Sequence, residues 1–461
     1  MKTLFRRTLF AGSLLLGGCG SLTQTPWQAP EVIVPEKWVA VTDPSIAGSD
    51  TWWKSFGDPQ LDELVDRALR TNNDLAAAVI RVRRAQLRAD LIGTNRMPSA
   101  AAGLSAGVSR SFDPVADFRS AGSSASLSYE VDLWGKLASE RDAANWAAKA
   151  SEADCRAYAL STIGTTLRLY WQVAYLNQHL ALTGADVDYA EKTLALARVR
   201  HAAGAVSALN VAQAELNLAN QQAYRTQLVQ QRVEARNALA ILLNQPPESA
   251  VVDPLRLSDA PLPSVAADIP AAILANRPDL HAAELRLREA LANVDVTRAS
   301  FYPSFSLTGS LGTSSTSLTD LFRNPVAALG AGLALPFIEW NTMKLSVRVS
   351  ESQYEEAVVN YRQRLYTALA EVENSLSARS QLLAEEEQLR VAVAQARRAE
   401  SIARLRFESG YTDLQLWLIA QTGLRGAERS LLQNRLSQMN NLASLYRALG
   451  LGAASNPVAC G

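Results

Sequence analysis

Hydrophobic and polar positions follow two different periods along this chain. In "SSASLSYEVDLW" (123–134), Ala125, Leu127, Tyr129, Val131 and Leu133 fall on one side. Ser124, Ser126, Ser128, Glu130 and Asp132 fall on the other. "PSFSLTGSLG" (303–312) sets Phe305, Leu307 and Leu311 against Ser304, Ser306, Thr308 and Ser310. "AALGAGLALPFIEW" (327–340) sets Leu329, Leu333, Leu335 and Phe337 against small residues. A period of two predicts strands, each with an apolar face and a face of hydroxyls and small groups. Other stretches carry the helical period. Residues 74–96 and 279–300 each predict a helix, the second opened by "NRPDL" with Pro278 at its start, where a missing N–H costs nothing. From Ile338 to Ser409 there is no Gly and no Pro. As one helix that run would reach about 100 Å. Lys136 to Ala203 is its counterpart, interrupted only by Gly164 and Gly184. Gly204 and Gly410 end the two runs at the position where a helix leaves into the left-handed region, and a helix of about forty residues follows each. The apolar stripes on these helices are narrow and rich in Ala, which suits close packing of helix on helix.

The elements come in pairs. "DLAAAVIRVRRAQLRADLIGTNRMPS" (74–99) matches "DLHAAELRLREALANVDVTRASFYPS" (279–304) at ten of 26 positions, at a shift of 205. "ARVRHAAGA" (197–205) returns as "ARLRFESGY" (403–411), and Trp134 returns as Trp340. The chain therefore reads as two copies of one unit, each with a helix, two strands and a long helical hairpin. The expected divisions are a signal peptide (1–18), an extended N-terminal segment (19–60), a first repeat (61–244), a Pro-rich connector (245–270), a second repeat (271–450) and a tail (451–461).

The 45 basic and 45 acidic side chains balance, which argues against nucleic acid as the partner. Three histidines at unrelated spacings give no metal ligand set, and no nucleophile elbow or phosphate loop appears, so neither an enzyme nor a cofactor is expected. Cys155 and Cys460 lie too far apart in sequence for their pairing to be decided. "MKTLFRRTLFAGSLLLGGC" opens the chain with a basic head and a short apolar core, a secretory signal. Its end, "LLGGC", resembles the lipobox of bacterial lipoproteins, which implies acylation of Cys19, and Gly20 after it favours the outer membrane over the inner.

Four strands with an apolar side, Ser on the other, and Trp134, Trp340 and Tyr302 near their ends look lipid-facing. Four cannot close a membrane barrel, for which about eight is the minimum. Two chains would supply eight and three would supply twelve; the count itself admits either. "WWKSFGDPQLDELVDRALRTNNDLAAAVIRVRRAQ" (52–86), "NRPDL" (276–280), the two hairpins and the lipobox together resemble the outer-membrane factor family, the TolC/OprM-type lipoprotein exit ducts of tripartite efflux systems. The resemblance implies a mainly α fold with a membrane β-barrel. It implies a homotrimer whose twelve-stranded barrel sits in outer-membrane lipid, and a helical tunnel in the periplasm. It also implies a periplasmic adaptor (membrane fusion) protein and an inner-membrane resistance-nodulation-division type pump as partners, and passive gated export of small molecules. A type I secretion outlet and a non-channel structural envelope lipoprotein are the alternative readings.

On that reading the second hairpin tip, "FESGYTDLQLWLIAQ", carries the gate. Tyr411, Thr412, Asp413 and Glu408 are the candidate constriction residues, with Arg404 and Arg406 as latch donors. Helix N-capping is the competing role for Thr412 and Asp413. Relatives of this type carry acids further along the inner helix where this chain has Leu416 and Ile419, so a cation preference does not carry over. Trp417 is expected to pack rather than plug. The first tip, around Ser207, resembles the outer hairpin.

Overall fold

The structure is a computed structural model. It describes residues 24–35, 38–39, 51–247, 249, 252–263, 277–317, 320, 322, 324–452 and 460. The signal segment, Cys19 and most of the tail lie outside the described residues. In chain order the elements are α1 (Pro59–Thr71), α2 (Asn73–Gly93), β1 (Ser99–Phe112), β2 (Val115–Val131), α3 (Lys136–Ala202), α4 (Ala208–Leu242), α5 (Pro278–Ala299), β3 (Ser304–Ser315), β4 (Pro325–Ala334), α6 (Trp340–Glu408) and α7 (Leu414–Ala448). The uninterrupted helices foreseen from the missing Gly and Pro are α3, of 67 residues, and α6, of 69. No helix among the described residues is long and apolar enough to cross a membrane. The chain divides into two compact units, and each copy of the duplication contributes to both.

The first unit gathers Ile80–Ala153 and Leu280–Arg364 with the N-terminal residues up to Val32. Its centre is one antiparallel sheet in the order β1-β2-β3-β4. Register places Ala125 opposite Leu311, Tyr129 opposite Leu307, and Phe305 opposite Leu333. Because side chains alternate, this pairing gathers Leu104, Val108, Leu127, Leu307, Leu329 and Leu333 on one face. All six are exposed, Leu329 at 95%. The opposite face holds Ser126, Ser128, Ser306, Thr308 and Ser310, interleaved with glycine. A Cβ on Gly332 would fall 2.7 Å from Ser306 Oγ, and one on Gly330 would fall 3.0 Å from Thr308 Oγ1, so a side chain at either place would make the hydroxyl turn aside. Two strand bounds differ from the sequence expectation. β1 and the first turns of β2 extend the sheet by runs of Ala, Ser and Gly whose alternation is too weak to read. β4 stops at Ala334, because Pro336 has no N–H to give the ladder and opens a short 3₁₀ turn, Pro336–Ile338. At the foot of the sheet Trp134 stacks on Tyr302 at 5.0 Å and donates its indole N–H to Pro303 O. Asp132 accepts from the N–H groups of Leu137 and Ala138, satisfying the first turn of α3. Ala150 and Ala153 of α3 bury against Ala282 and Leu285 of α5, the close helix contact that alanine stripes permit. Thr25 is tied to Asp295 of α5 through both its N–H and its hydroxyl.

The second unit gathers Ile33–Val79, Asp154–Asp279 and Leu365–Gly461. "WWKSFGDP" explains itself here. Trp52 stacks on Tyr446 at 4.6 Å and donates to Leu451 O, while Gly57 turns the chain at a φ of 66° and Asp58 caps α1. The segment that leads into α1 is thus bound to the segment that leaves α7. Two contacts repeat with the duplication. Asn72, before the first-copy helix, donates to Leu242 O at the end of α4. Arg277, before the second-copy helix, donates to Ala448 O at the end of α7. Arg277 also forks onto Asp279 and reaches Glu371, and is buried. The described part of the connector lies against the helices: Asp253 accepts from Asn177 and Arg232, and Ser258 O accepts from Arg435. Cys155 of α3 and Cys460 form a disulfide that closes a span of 305 residues, worth about 6 kcal/mol in the chain-entropy picture.

Arg277→Ala strands two carboxylates and a carbonyl and should lower unfolding stability by about 3–5 kcal/mol. Asn72→Ala, which loses neutral hydrogen bonds only, should lower it by about 1–2 kcal/mol. Urea unfolding of the solubilised protein checks the order; equal losses would contradict it.

Candidate functional site: the paired hairpin tips

Two turns of one design lie in the second unit. Gly204 and Gly410 adopt φ values of 73° and 76°, a region that a side chain strains. Gly204 N–H bonds to His201 O and Ala205 N–H to Arg200 O. Gly410 N–H bonds to Phe407 O and Tyr411 N–H to Arg406 O. This double closure satisfies the last carbonyls of α3 and α6 and turns the chain into α4 and α7. The repeated phrase in the sequence is a repeated helix stop.

The side-chain contacts around the turns are not repeated, and they bind one tip to the other. Arg200 donates to Phe407 O at 2.7 Å and Glu408 O at 2.6 Å, and its guanidinium lies 4.6 Å from the Phe407 ring centre. A cation there sits at the negative end of α6. Asn210, buried, donates to the Asp413 carboxylate and is itself held by a hydrogen bond from the Ser207 hydroxyl to its amide oxygen. Asp413 stands at the N-cap position of α7, yet its side chain makes no capping bond, and the Thr412 hydroxyl is buried without a partner. Tyr411, Glu408 and Arg406 are exposed, and Arg404 lies 3.9 Å from Glu408 on its own helix. The arginine that reaches across is Arg200.

Further into the helices Trp417 is 3% exposed, packed on Phe407 and Tyr189. Its indole and the Tyr189 hydroxyl both donate to the same Glu400 oxygen, at 2.9 Å and 2.6 Å. Burial, then the bond to Glu400, pushes Tyr189 up to about 12, so it remains a neutral donor. Beyond it, buried Asp186 of α3 pairs with Arg425 and, at 3.5 Å, with Arg429 of α7. Burial holds the Asp186 carboxyl above its ordinary value; the two arginines pull it down and Glu428 adds to the rise. Arg200, Asn210, Tyr189, Glu400 and Asp186 were not legible as site residues. One signal existed for Arg200, which occupies the same place in the repeated phrase as Arg406. Asp186 carried none, since its partners lie 239 and 243 residues away.

The family model described as outer membrane efflux protein matches residues 64–245 and 269–451, two stretches offset by the period of the duplication. The pyoverdine export outer membrane protein OpmQ of Pseudomonas aeruginosa is 34% identical over 471 residues, covering 99% of this chain and 98% of its own. Outer membrane protein OprJ of the same organism is 32% identical over 459 residues, covering 95% and 94%. The solved open state of the MtrE outer membrane channel of Neisseria gonorrhoeae is 29% identical, with a TM-score of 0.81 over 93% of this chain and 98% of that one. Channels of this kind form trimers and work with adaptor proteins and inner-membrane pumps. With a four-stranded sheet of lipid-facing chemistry and two clasped helical hairpins, the chain belongs to the outer membrane efflux protein family: it is an outer-membrane exit duct of tripartite efflux, and not an enzyme.

Proposed function

We propose that three copies of this chain pool their sheets into one twelve-stranded barrel and that the hairpin tips form its periplasmic gate. The observation that carries the first part is the sheet: one face apolar and exposed, one face of Ser, Thr and Gly, and β1 and β4 as its outer strands. In hydrocarbon such edges must be paired, and neighbouring chains are the available partners. The cargo would be small molecules, in line with relatives named for pyoverdine export and for toxin and drug export. A lined face of hydroxyls offers such cargo hydrogen bonds without a net charge. An adaptor and a proton-driven resistance-nodulation-division type pump would feed the duct. A lipid on Cys19 would add a second hold on the membrane; six residues on, Thr25 is fixed to Asp295, so the acylated residue would stay within about 20 Å of that point.

In the gate, Tyr411 and Glu408 of the second tip would face the constriction, with Thr412 behind them and Asp413 contributing through its bond to Asn210 of the first tip. Arg404 would steady Glu408, and Arg406 would act as a latch donor toward the neighbouring chain. Arg200, Asn210, Glu400 and Asp186 would hold the second hairpin to the first until docking partners bias it outward.

Asp186 supplies a pH dependence with a definite sign. Its folded value lies above its unfolded one, so the desolvation cost it imposes above that value disappears as pH falls through it. The fold is not weakened by the proton, but the ion pair to Arg425 and Arg429 is lost. Lowering the pH through that value should therefore slow local opening where α3 meets α7, around residues 186 and 425, as read from amide protection with the intrinsic pH dependence of exchange divided out. Asp186→Asn, which carries no titrating carboxyl at that place, should show no such step; a step that survives in Asp186→Asn contradicts this role.

Purified protein should run as a trimer and, in planar bilayers, be mostly shut. Arg200→Ala and Asp413→Ala should each raise the resting current several-fold. A lone subunit that leaves bilayers impermeable overturns the barrel, and trimers with unchanged resting current overturn the clasp.

A further inference from the structure

The gate residues considered so far are polar, but two of the exposed side chains past the second turn are aliphatic. Leu416 and Ile419, one turn apart on α7, are 47% and 61% exposed. They border a stripe of exposed positions, Gln415, Thr422, Gly426, Ser430 and Gln433, that contains no charge. A Cβ added to Gly423 or Gly426 would meet nothing within 4 Å, so this side of α7 has no neighbour inside its own chain.

The duplication supplies a control. The first-copy residues at the period of the two turns are Asn210 and Gln213. Asn210 is buried and holds Asp413, and the Gln213 amide oxygen is buried as well. The same helix positions therefore carry amides turned inward in one copy and aliphatic chains turned outward in the other. Asp413, one turn from Leu416, has its carboxylate engaged by Asn210, toward the first tip. We infer that the closed barrier of the duct is an apolar ring, built where the Leu416 and Ile419 side chains of three copies of this chain converge. The inference rests on the trimeric-duct reading above.

The physical case has two parts. A helix face that meets its own copies around an axis brings like groups together; a charged face would repel itself, and this face is neutral. A narrow ring of aliphatic side chains expels water and so blocks ions of both signs without a fixed charge. Such a barrier does not repel anionic cargo, as a ring of carboxylates would. Once it widens, anionic and neutral solutes should pass with equal ease.

Three arms in planar bilayers test this on protein confirmed as trimer. Leu416→Asn and Ile419→Gln, which install the first-copy type of side chain, should raise resting current at least tenfold with no change in cation-to-anion permeability. Ile419→Asp should make the residual current cation-selective and sensitive to millimolar Mg²⁺. Ile419→Cys should give disulfide-linked dimers on mild oxidation, which reports the convergence even if a polar variant assembles poorly. Trimers in which Asp413→Ala leaks while the Leu416 and Ile419 variants stay as tight as wild type overturn the apolar ring and leave the duct standing. Trimers whose Ile419→Cys chains never cross-link overturn it too. A monomeric, non-conducting preparation overturns the duct and the ring together.

Discussion

A peptide group in hydrocarbon must find its hydrogen-bond partner within the protein, and the strands among the described residues are too few to meet that rule alone. Its sheet has four, in sequence order, ending at β1 and β4. The apolar face prepares the sheet for lipid and the outer strands prepare it for other copies. Pooling also sets the chemistry of the inner face. Ser306 and Thr308 stand against Gly332 and Gly330, so hydroxyls and bare backbone line that stretch of the face.

Duplication is the economical way to build such an element, and the structure records which parts the two copies still share. The shared contacts are those that close a helix. Asn72 and Arg277 each reach the last turn of their own copy, at Leu242 and Ala448, and both hairpins stop with the same pair of backbone bonds around Gly204 and Gly410. These contacts satisfy backbone groups that every helix end leaves open, so both copies need them. The side chains beside the turns answer to no such common need and have diverged.

That distinction explains what the sequence made legible. Period, glycine punctuation and the absence of Pro mark backbone structure, and they located both long helices, both turns and three of the four strands from local pattern. β1 was counted but left without bounds, because Ala, Ser and Gly alternate with too little contrast. The disulfide is a tertiary fact: 305 residues separate Cys155 from Cys460, and spacing says nothing at that range. Tyr411, Glu408 and Asp413 were found at the tip because position along the hairpin is a one-dimensional property. Arg200 and Asn210 were not, because their partners belong to the other copy. Asp413 shows the limit plainly. Its place before α7 is that of a cap, while its carboxylate serves Asn210.

Divergence between the copies also has a consequence for a ring in which first and second hairpins alternate. Within one chain the facing helices are joined by Asp186 to Arg425 and Arg429, by Tyr189 and Trp417 to Glu400, and by Arg200 to the end of α6. At the equivalent positions of the other copy, which would face the next chain, Asp186 becomes Ala392, Arg425 becomes Ala219 and Arg429 becomes Ala223. Polar groups on one side and alanine on the other make two unequal kinds of contact around the ring. Alanine surfaces slide with little penalty, whereas buried charge pairs separate only by leaving a charge unmatched. On the proposed reading, the second hairpin parts from the first only by breaking these charge pairs, which is why its outward swing would wait on the docking partners.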